Sequence, residues 1–266
     1  MKKLLVSLLV LSLVVSLAGA ALANTPVKIG ATPTPHAEVL NFVVPLLAEK
    51  GFDLTVVEFN DYIRPNVETQ DGEVDANYFQ HKPYLNNFNE QNGTTLVAVI
   101  PVHFEPMGIY PGRTASLDAI QEGAKIAVPN DPTNCARALL LLEAQGLIKI
   151  AEDAGLTATK LDIVDNPFNI DILEIEAAQV PRALADVDFA VINGNYALAV
   201  GLSASKDAVA AEGLDSEAAQ TRINYVVVEE GNEDADFVAA LREVLNSDEV
   251  RAFIEETYQG AVVPAF

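Results

Sequence analysis

The sequence predicts an α/β protein folded as two lobes with a ligand cleft between them, and three observations carry that reading. Short β-branched runs alternate with apolar-periodic helical stretches along the whole chain. The alternation comes in two successive series, the second starting at Lys125, and a leftover C-terminal segment is free to rejoin the first. The composition is globular, with 50% hydrophobic, 20% charged and 7% aromatic residues among 266, which suffices for two lobes of ordinary size.

Met1 to Ala23 has the parts of a secretory leader: Lys2 and Lys3, an apolar run from Leu4 to Leu17, and small residues ending Ala21-Leu22-Ala23. That run is shorter than the ~20 residues a spanning helix needs, so cleavage before Asn24 and an extracytoplasmic mature protein are expected. Val27 to Ala31 then reads as a strand, and Thr34-Pro35 opens a helix from His36 to Lys50 that Gly51 stops. With the strand Asp53 to Phe59 this makes a βαβ unit, which implies a parallel sheet covered by helices.

The first series continues with a helix near Ile63 to Thr69, a short strand ending at Tyr78-Phe79, a helix near Lys82 to Gln91 and the strand Leu96 to Val102. Met107 to Tyr110 is expected to be extended. The second series has a strand at Lys125 to Val128, a helix from Pro132 to Gln145 closed by Gly146, and strands at Lys160 to Val164 and Ile172 to Glu176. A helix near Val180 to Ala185 and the strand Phe189 to Ile192 complete it. Tyr225 to Val228 is one more strand, followed by helices at Ala235 to Leu245 and Asp248 to Tyr258. The first lobe is therefore assigned to 24–106 with 222–266, and the second to 107–221.

A formal charge of −22 makes nucleic acid and anionic lipid poor partners. The acids are scattered, as on a solvated surface. One cysteine, Cys135, excludes an internal disulfide. Phosphate-loop, nucleophile-elbow and metalloprotease patterns are absent, so neither catalysis nor a cofactor is expected.

The polar residues that stand out lie just past strand ends, where open α/β sheets bind ligands. They are Asn60-Asp61-Tyr62, Gln80-His81, His103-Phe104-Glu105, Asn130 to Arg137 and Asn193 to Tyr196. Arg137 sits early in a helix that Asp131 caps and Pro132 starts, and whose remainder, Ala138 to Leu142, is apolar almost all round. A buried guanidinium must meet an anion. A ligand carboxylate suits it, and a structural pairing with one of the many acids is the alternative. Tyr62, Tyr78, Phe79, Tyr84 and Phe104, with His81 and His103, offer ring faces. Alternation puts Tyr78 and Phe79 on opposite sides of a strand, and Phe79 is assigned to the pocket. Asn193 and Asn195 can serve both an ammonium and a carboxylate, or can simply form the turn.

The three histidines with Glu105 raise a zinc-binding reading, although no metal-type His spacing supports it. Cys135 near a helix start raises a thiol-enzyme reading, against which stands an ordinary buried side chain.

Phe59-Asn60-Asp61-Tyr62, the run Asp75 to Leu85, Val128 to Asn134, Gly146 to Lys149 and Ala190 to Asn193 together resemble the methionine-binding proteins of ABC importers. The resemblance implies a type II periplasmic binding protein fold, capture of methionine, most readily L-methionine, and delivery to a membrane permease with its ATPase. It implies that Arg137 clamps the carboxylate and Asn193 contacts the amino-acid head. Tyr62, Phe79, His81 and His103 would wall the thioether, with Asn134 and Tyr84 as further contacts. A methionine-containing dipeptide, D-methionine or another small amino acid remains an alternative ligand. The chain departs from the family where Ala20 stands in place of the lipid-bearing cysteine and where Cys135-Ala136 precedes Arg137. No lipid anchor is expected at Ala20.

Overall fold

The computed structural model describes residues 23–213 and 221–266; the leader up to Leu22, Ala20 included, lies outside the described residues, as does 214–220. The first sheet is built from β1 (Thr25–Ala31), β2 (Phe52–Glu58), β3 (Ala76–His81), β4 (Leu96–Phe104), β12 (Asn224–Glu229) and β13 (Val263–Pro264), in the order β13-β4-β12-β3-β1-β2. β1 runs parallel to β2 and β3, as the βαβ reading requires. β12 is inserted antiparallel between β3 and β4.

The second sheet holds β5 (Gly108–Pro111), β6 (Lys125–Pro129), β9 (Asp171–Ile175), β10 (Phe189–Ile192) and β11 (Ala210–Ala211), in the order β11-β5-β10-β6-β9. It repeats the plan: β6 is parallel to β9 and β10, and β5 is antiparallel. The expected strand near Lys160 is different. Lys160–Asp162 is a 3₁₀ turn, and β8 (Ile163–Asp165) pairs only with β7 (Lys149–Ile150), outside both main sheets. Exposed Leu161 and Val164 show why, because nothing covers the face they would present to a sheet. The segment Ala177–Ala185 is likewise a 3₁₀ helix, with Pro181 inside it, where proline denies the α-helical hydrogen bond.

Helices cover both sheets. α1 (Glu38–Glu49) buries Val39, Leu40, Val43 and Leu47 against the first sheet, beside α6 (Asp236–Leu245) and α7 (Asp248–Tyr258). α2 (Arg64–Gln70) and α3 (Lys82–Asn92) stand at the cleft end. Gly93, at φ 66°, ends α3 in the left-handed conformation. α4 (Pro132–Ala144) is buried on most sides, as its apolar run predicts, and α5 (Gly194–Ala199) starts directly after β10. The chain leaves the first sheet after β4 and enters the second at β5; β11, ending at Ala211, is in the second sheet and β12, starting at Asn224, is back in the first. Among the described residues no helix is long and apolar enough to cross a membrane.

Candidate functional site

The strand ends converge as the sequence predicts, and register explains how. Asn224, first residue of β12, is paired with His81 of β3 on one side and His103 of β4 on the other. Across the cleft stand the N-termini of α4 and α5. Tyr62 Oη donates to Asn195 Oδ1 at 2.5 Å and His81 Nε2 meets Asn134 Oδ1 at 3.2 Å, so the two lobes touch.

Between them lies an inner cavity lined by Tyr62, Phe79, Gln80, His81, Tyr84, Glu105, Asn134, Arg137, Asn193, Gly194 and Asn224. Seven of the eight residues named from the sequence are in this wall. His103 is not. It is fully buried behind Glu105 and donates from Nε2 to that carboxylate at 2.6 Å, because its ring lies one layer deeper, against Tyr78. The space open to the centre of a water-sized sphere is about 20 Å³ here, against about 350 Å³ in the outer mouth. Tyr62 and Tyr84 line both spaces and separate them. The inner space as it stands has room for little more than one water molecule.

One end of the cavity is aromatic. Tyr62, Phe79 and Tyr84 pack with ring centroids 5.7 to 5.9 Å apart, two of the three pairs edge-on. Tyr78 lies in the core of the first lobe, so the expected alternation holds.

The other end is polar, and its hydrogen bonds run in one direction. Asp131 caps α4 by accepting from Asn134 N at 2.9 Å, and its carboxylate also accepts from Asn134 Nδ2. Asn134 Oδ1 must therefore be the acceptor for its other neighbours. The Tyr84 N–H donates to His81 Nδ1, which leaves the proton on His81 Nε2 to reach Asn134 Oδ1. Asn193 Nδ2 donates to the same oxygen at 3.0 Å. This leaves Asn193 Oδ1 as the free acceptor of a cavity-lining side chain, and it is buried without a hydrogen-bond partner. Such an orphan is costly unless something donates to it.

Arg137 projects from α4 into the same end. Burial works against its charge, and Glu212 holds it: Nε donates to Glu212 Oε1 at 2.7 Å and Nη2 to Oε2 at 2.5 Å. Nη2 also donates to the Glu105 carbonyl at 2.9 Å. The guanidinium has a resident carboxylate, and these bonds do not engage Nη1. Glu212 and Asn224 were not singled out from the sequence. Each sits where the returning crossing meets a sheet, so no local spacing links it to Arg137. A single acid closing the short Ala-rich run before it is the only trace Glu212 leaves.

His36 completes the surroundings of Glu105. Its Nε2 lies 3.4 Å from Glu105 Oε1 and 3.3 Å from Asn224 Oδ1, while Thr32 Oγ1 holds Nδ1 at 2.7 Å. Among the described residues, His36, His103 and Glu105 form the group that could hold a metal ion, their donor atoms lying within 4.8 Å of one another. The 2.6 Å contact between His103 and Glu105 is a hydrogen-bond length; two tetrahedral ligands at ~2.0 Å from zinc stand about 3.3 Å apart. The network as built holds protons.

Cys135 faces the core of the second lobe, and burial pushes its thiol up to about 11, with Glu174 and Asp131 adding to the rise. Iodoacetamide at pH 8 is expected to leave native Cys135 unlabelled and to label it in urea. Rapid native labelling, read by mass spectrometry, would contradict this environment.

Residues 27–266 match the NlpA lipoprotein family. The D-methionine-binding lipoprotein MetQ of Escherichia coli K12 is 40% identical over 240 residues, covering 89% of this chain and 87% of that one. A nutrient binding protein from Burkholderia cenocepacia, solved bound to methionine, superposes with a TM-score of 0.86 at 42% identity, over 90% of this chain and 100% of the other. An ABC transporter periplasmic substrate-binding protein from Coxiella burnetii gives 0.84 at 38% identity, over 90% and 100%. With a family match over residues 27–266 and relatives about 40% identical over most of both chains, the chain belongs to the NlpA lipoprotein family.

Proposed function

We propose that the protein is a non-enzymatic, extracytoplasmic substrate-binding protein that captures methionine and hands it to the permease and ATPase of an ABC importer. The observation that carries this is the division of one cavity into an aromatic end and a charged end. Three rings suit a polarizable thioether, worth ~0.3–1.5 kcal/mol per contact. At the other end Arg137 offers Nη1 to a carboxylate while Glu212 and the Glu105 carbonyl hold its other nitrogens in place. Asn193 supplies an acceptor, and His81, Asn134, Tyr62, Phe79 and Tyr84 shape the space. His103 acts through Glu105 in this reading, not as a wall. The methionine carried by the Burkholderia cenocepacia structure and the name of the Escherichia coli relative support the ligand; the Coxiella burnetii relative supports the transporter.

We further propose that the lobes, 24–106 with 222–266 and 107–221, hinge at the two crossings. Both crossings touch Arg137, one through the Glu105 carbonyl and the other through Glu212. Opening therefore frees the clamp and the cavity together.

Calorimetry tests the reading. L-methionine is expected to bind saturably at one site, and at a hundred times Kd to raise stability by about 2.7 kcal/mol. D-methionine and methionine dipeptides, titrated alongside, rank the alternatives. No heat and no thermal shift with any of them would reject methionine as the cargo.

A further inference from the structure

A second cavity has no part in the methionine reading. It shares Arg137 with the inner cavity and none of that cavity's other lining residues. The space open to the centre of a water-sized sphere is about 330 Å³, within the ~300–1,000 Å³ of ligand pockets. Most of its wall is aliphatic: Leu140, Leu141 and Ala144 from one face of α4, with Leu156 and Ala211. Leu156 is an exposed leucine.

One cation interrupts this wall. Arg222 stands two residues before β12, lines the cavity and is 1% exposed. Its Nε and Nη1 are buried with no hydrogen-bond partner among the described residues. Burial, and then the charge of Arg137, lower its guanidinium to about 10, while Glu212 and Asp131 oppose this. Buried donors are normally paired, and a buried cation left unpaired is costly. Glu212 also lines the cavity, but it gives one oxygen to Arg137 Nε and the other to Arg137 Nη2. Among the described residues the ionisable lining is therefore one closed ion pair and one cation over.

That arrangement selects an occupant. A single negative charge completes the balance, and the leucines call for hydrocarbon behind it. A zwitterion would set a second cation beside Arg222, and a small inorganic anion would leave the aliphatic wall uncovered. We propose that this cavity is a second ligand site, separate from the cleft, which takes an aliphatic monocarboxylate with its carboxylate on Arg222 and its chain along Leu140, Leu141 and Leu156.

The test titrates octanoate, and octan-1-ol as its uncharged counterpart, into the wild-type chain, Arg222→Met and Leu156→Glu. Neither position lines the inner cavity, so an effect on octanoate is not an effect of the cleft. Wild type is expected to bind octanoate saturably at one site, roughly 10- to 150-fold more tightly than octan-1-ol, the range of one charge-assisted hydrogen bond. Arg222→Met is expected to lose octanoate affinity by a similar factor and to change octan-1-ol affinity less than about threefold. Leu156→Glu, an exposed change that puts a like charge beside the chain, is expected to weaken octanoate about tenfold or more. Without ligand, Arg222→Met is expected to melt no lower than wild type, because it removes a buried charge that has no partner. A lower melting temperature, or failure to fold, would show that Arg222 is paired within the chain and would overturn the site. No saturable octanoate binding, equal affinity for octanoate and octan-1-ol, or octanoate binding unchanged in either variant would overturn it as well.

Discussion

Arg137→Ala is expected to weaken methionine binding by roughly 30- to 4,000-fold, the ~2–5 kcal/mol that truncating a buried charge partner costs. The same substitution removes the ion-pair partner of Glu212, whose carboxylate is as deeply buried as the guanidinium. Breaking such a pair destabilises by about 3–5 kcal/mol because the remaining charge has no solvation. Affinity loss from misfolding and affinity loss from a missing clamp must therefore be separated. The double variant Arg137→Ala/Glu212→Gln removes the stranded charge. It is expected to recover most of the lost melting temperature and none of the lost affinity. If affinity returned with stability, Arg137 would be a structural cation and its role as a carboxylate clamp would be wrong.

That ion pair also shows where sequence reasoning reaches its limit. Arg137 could be singled out because a lone cation in an apolar helix cannot be left unpaired, and the argument needs only the helix itself. Either of two anions satisfied it, a ligand or one of the chain's own acids. The structure supplies Glu212, 75 residues away, from a crossing with no periodicity to read. The parallel strands and their helices were legible for a related reason: each βαβ unit is local, and its apolar period is set by its own packing. Asn224 was not, because it owes its place to β12 entering the first sheet antiparallel between β3 and β4. His103 was visible as a strand-end residue, but not that Glu105 stands between it and the cavity. That depends on the contact with Gly194, which comes from the other lobe.

The buried histidines make a second large effect, on stability against pH. Burial lowers His36 to about 4 and His103 to about 3, and His81 lies well below its ordinary value through burial and the charges of Arg137 and Arg222. For His36 the charge of Glu105 opposes this and that of His103 reinforces it. The unfolded chain takes up these protons near pH 6.5, the folded chain only well below that. Stability contributed by neutral His36 and His103 is thus complete above about pH 6.5 and is lost as the pH falls toward 4 and 3 respectively. Glu105 acts in the opposite sense. Burial raises its carboxyl, so acidification between its unfolded and folded values returns part of the loss.

At about 1.4 kcal/mol per unit the two shifts with stated values amount to a few kcal/mol each, and one carboxyl offsets only part of that. The surface acids complicate the absolute profile, since protonating them relieves repulsion in a chain of formal charge −22. The informative quantity is the difference between wild type and His103→Gln, which keeps a donor for Glu105 and removes one titration. Urea unfolding between pH 7 and 4.5 is expected to show wild-type stability falling more steeply than that of the variant, by up to one proton in slope. Parallel profiles would mean that His103 takes up its proton equally in both states, and that the layer behind Glu105 is open to water.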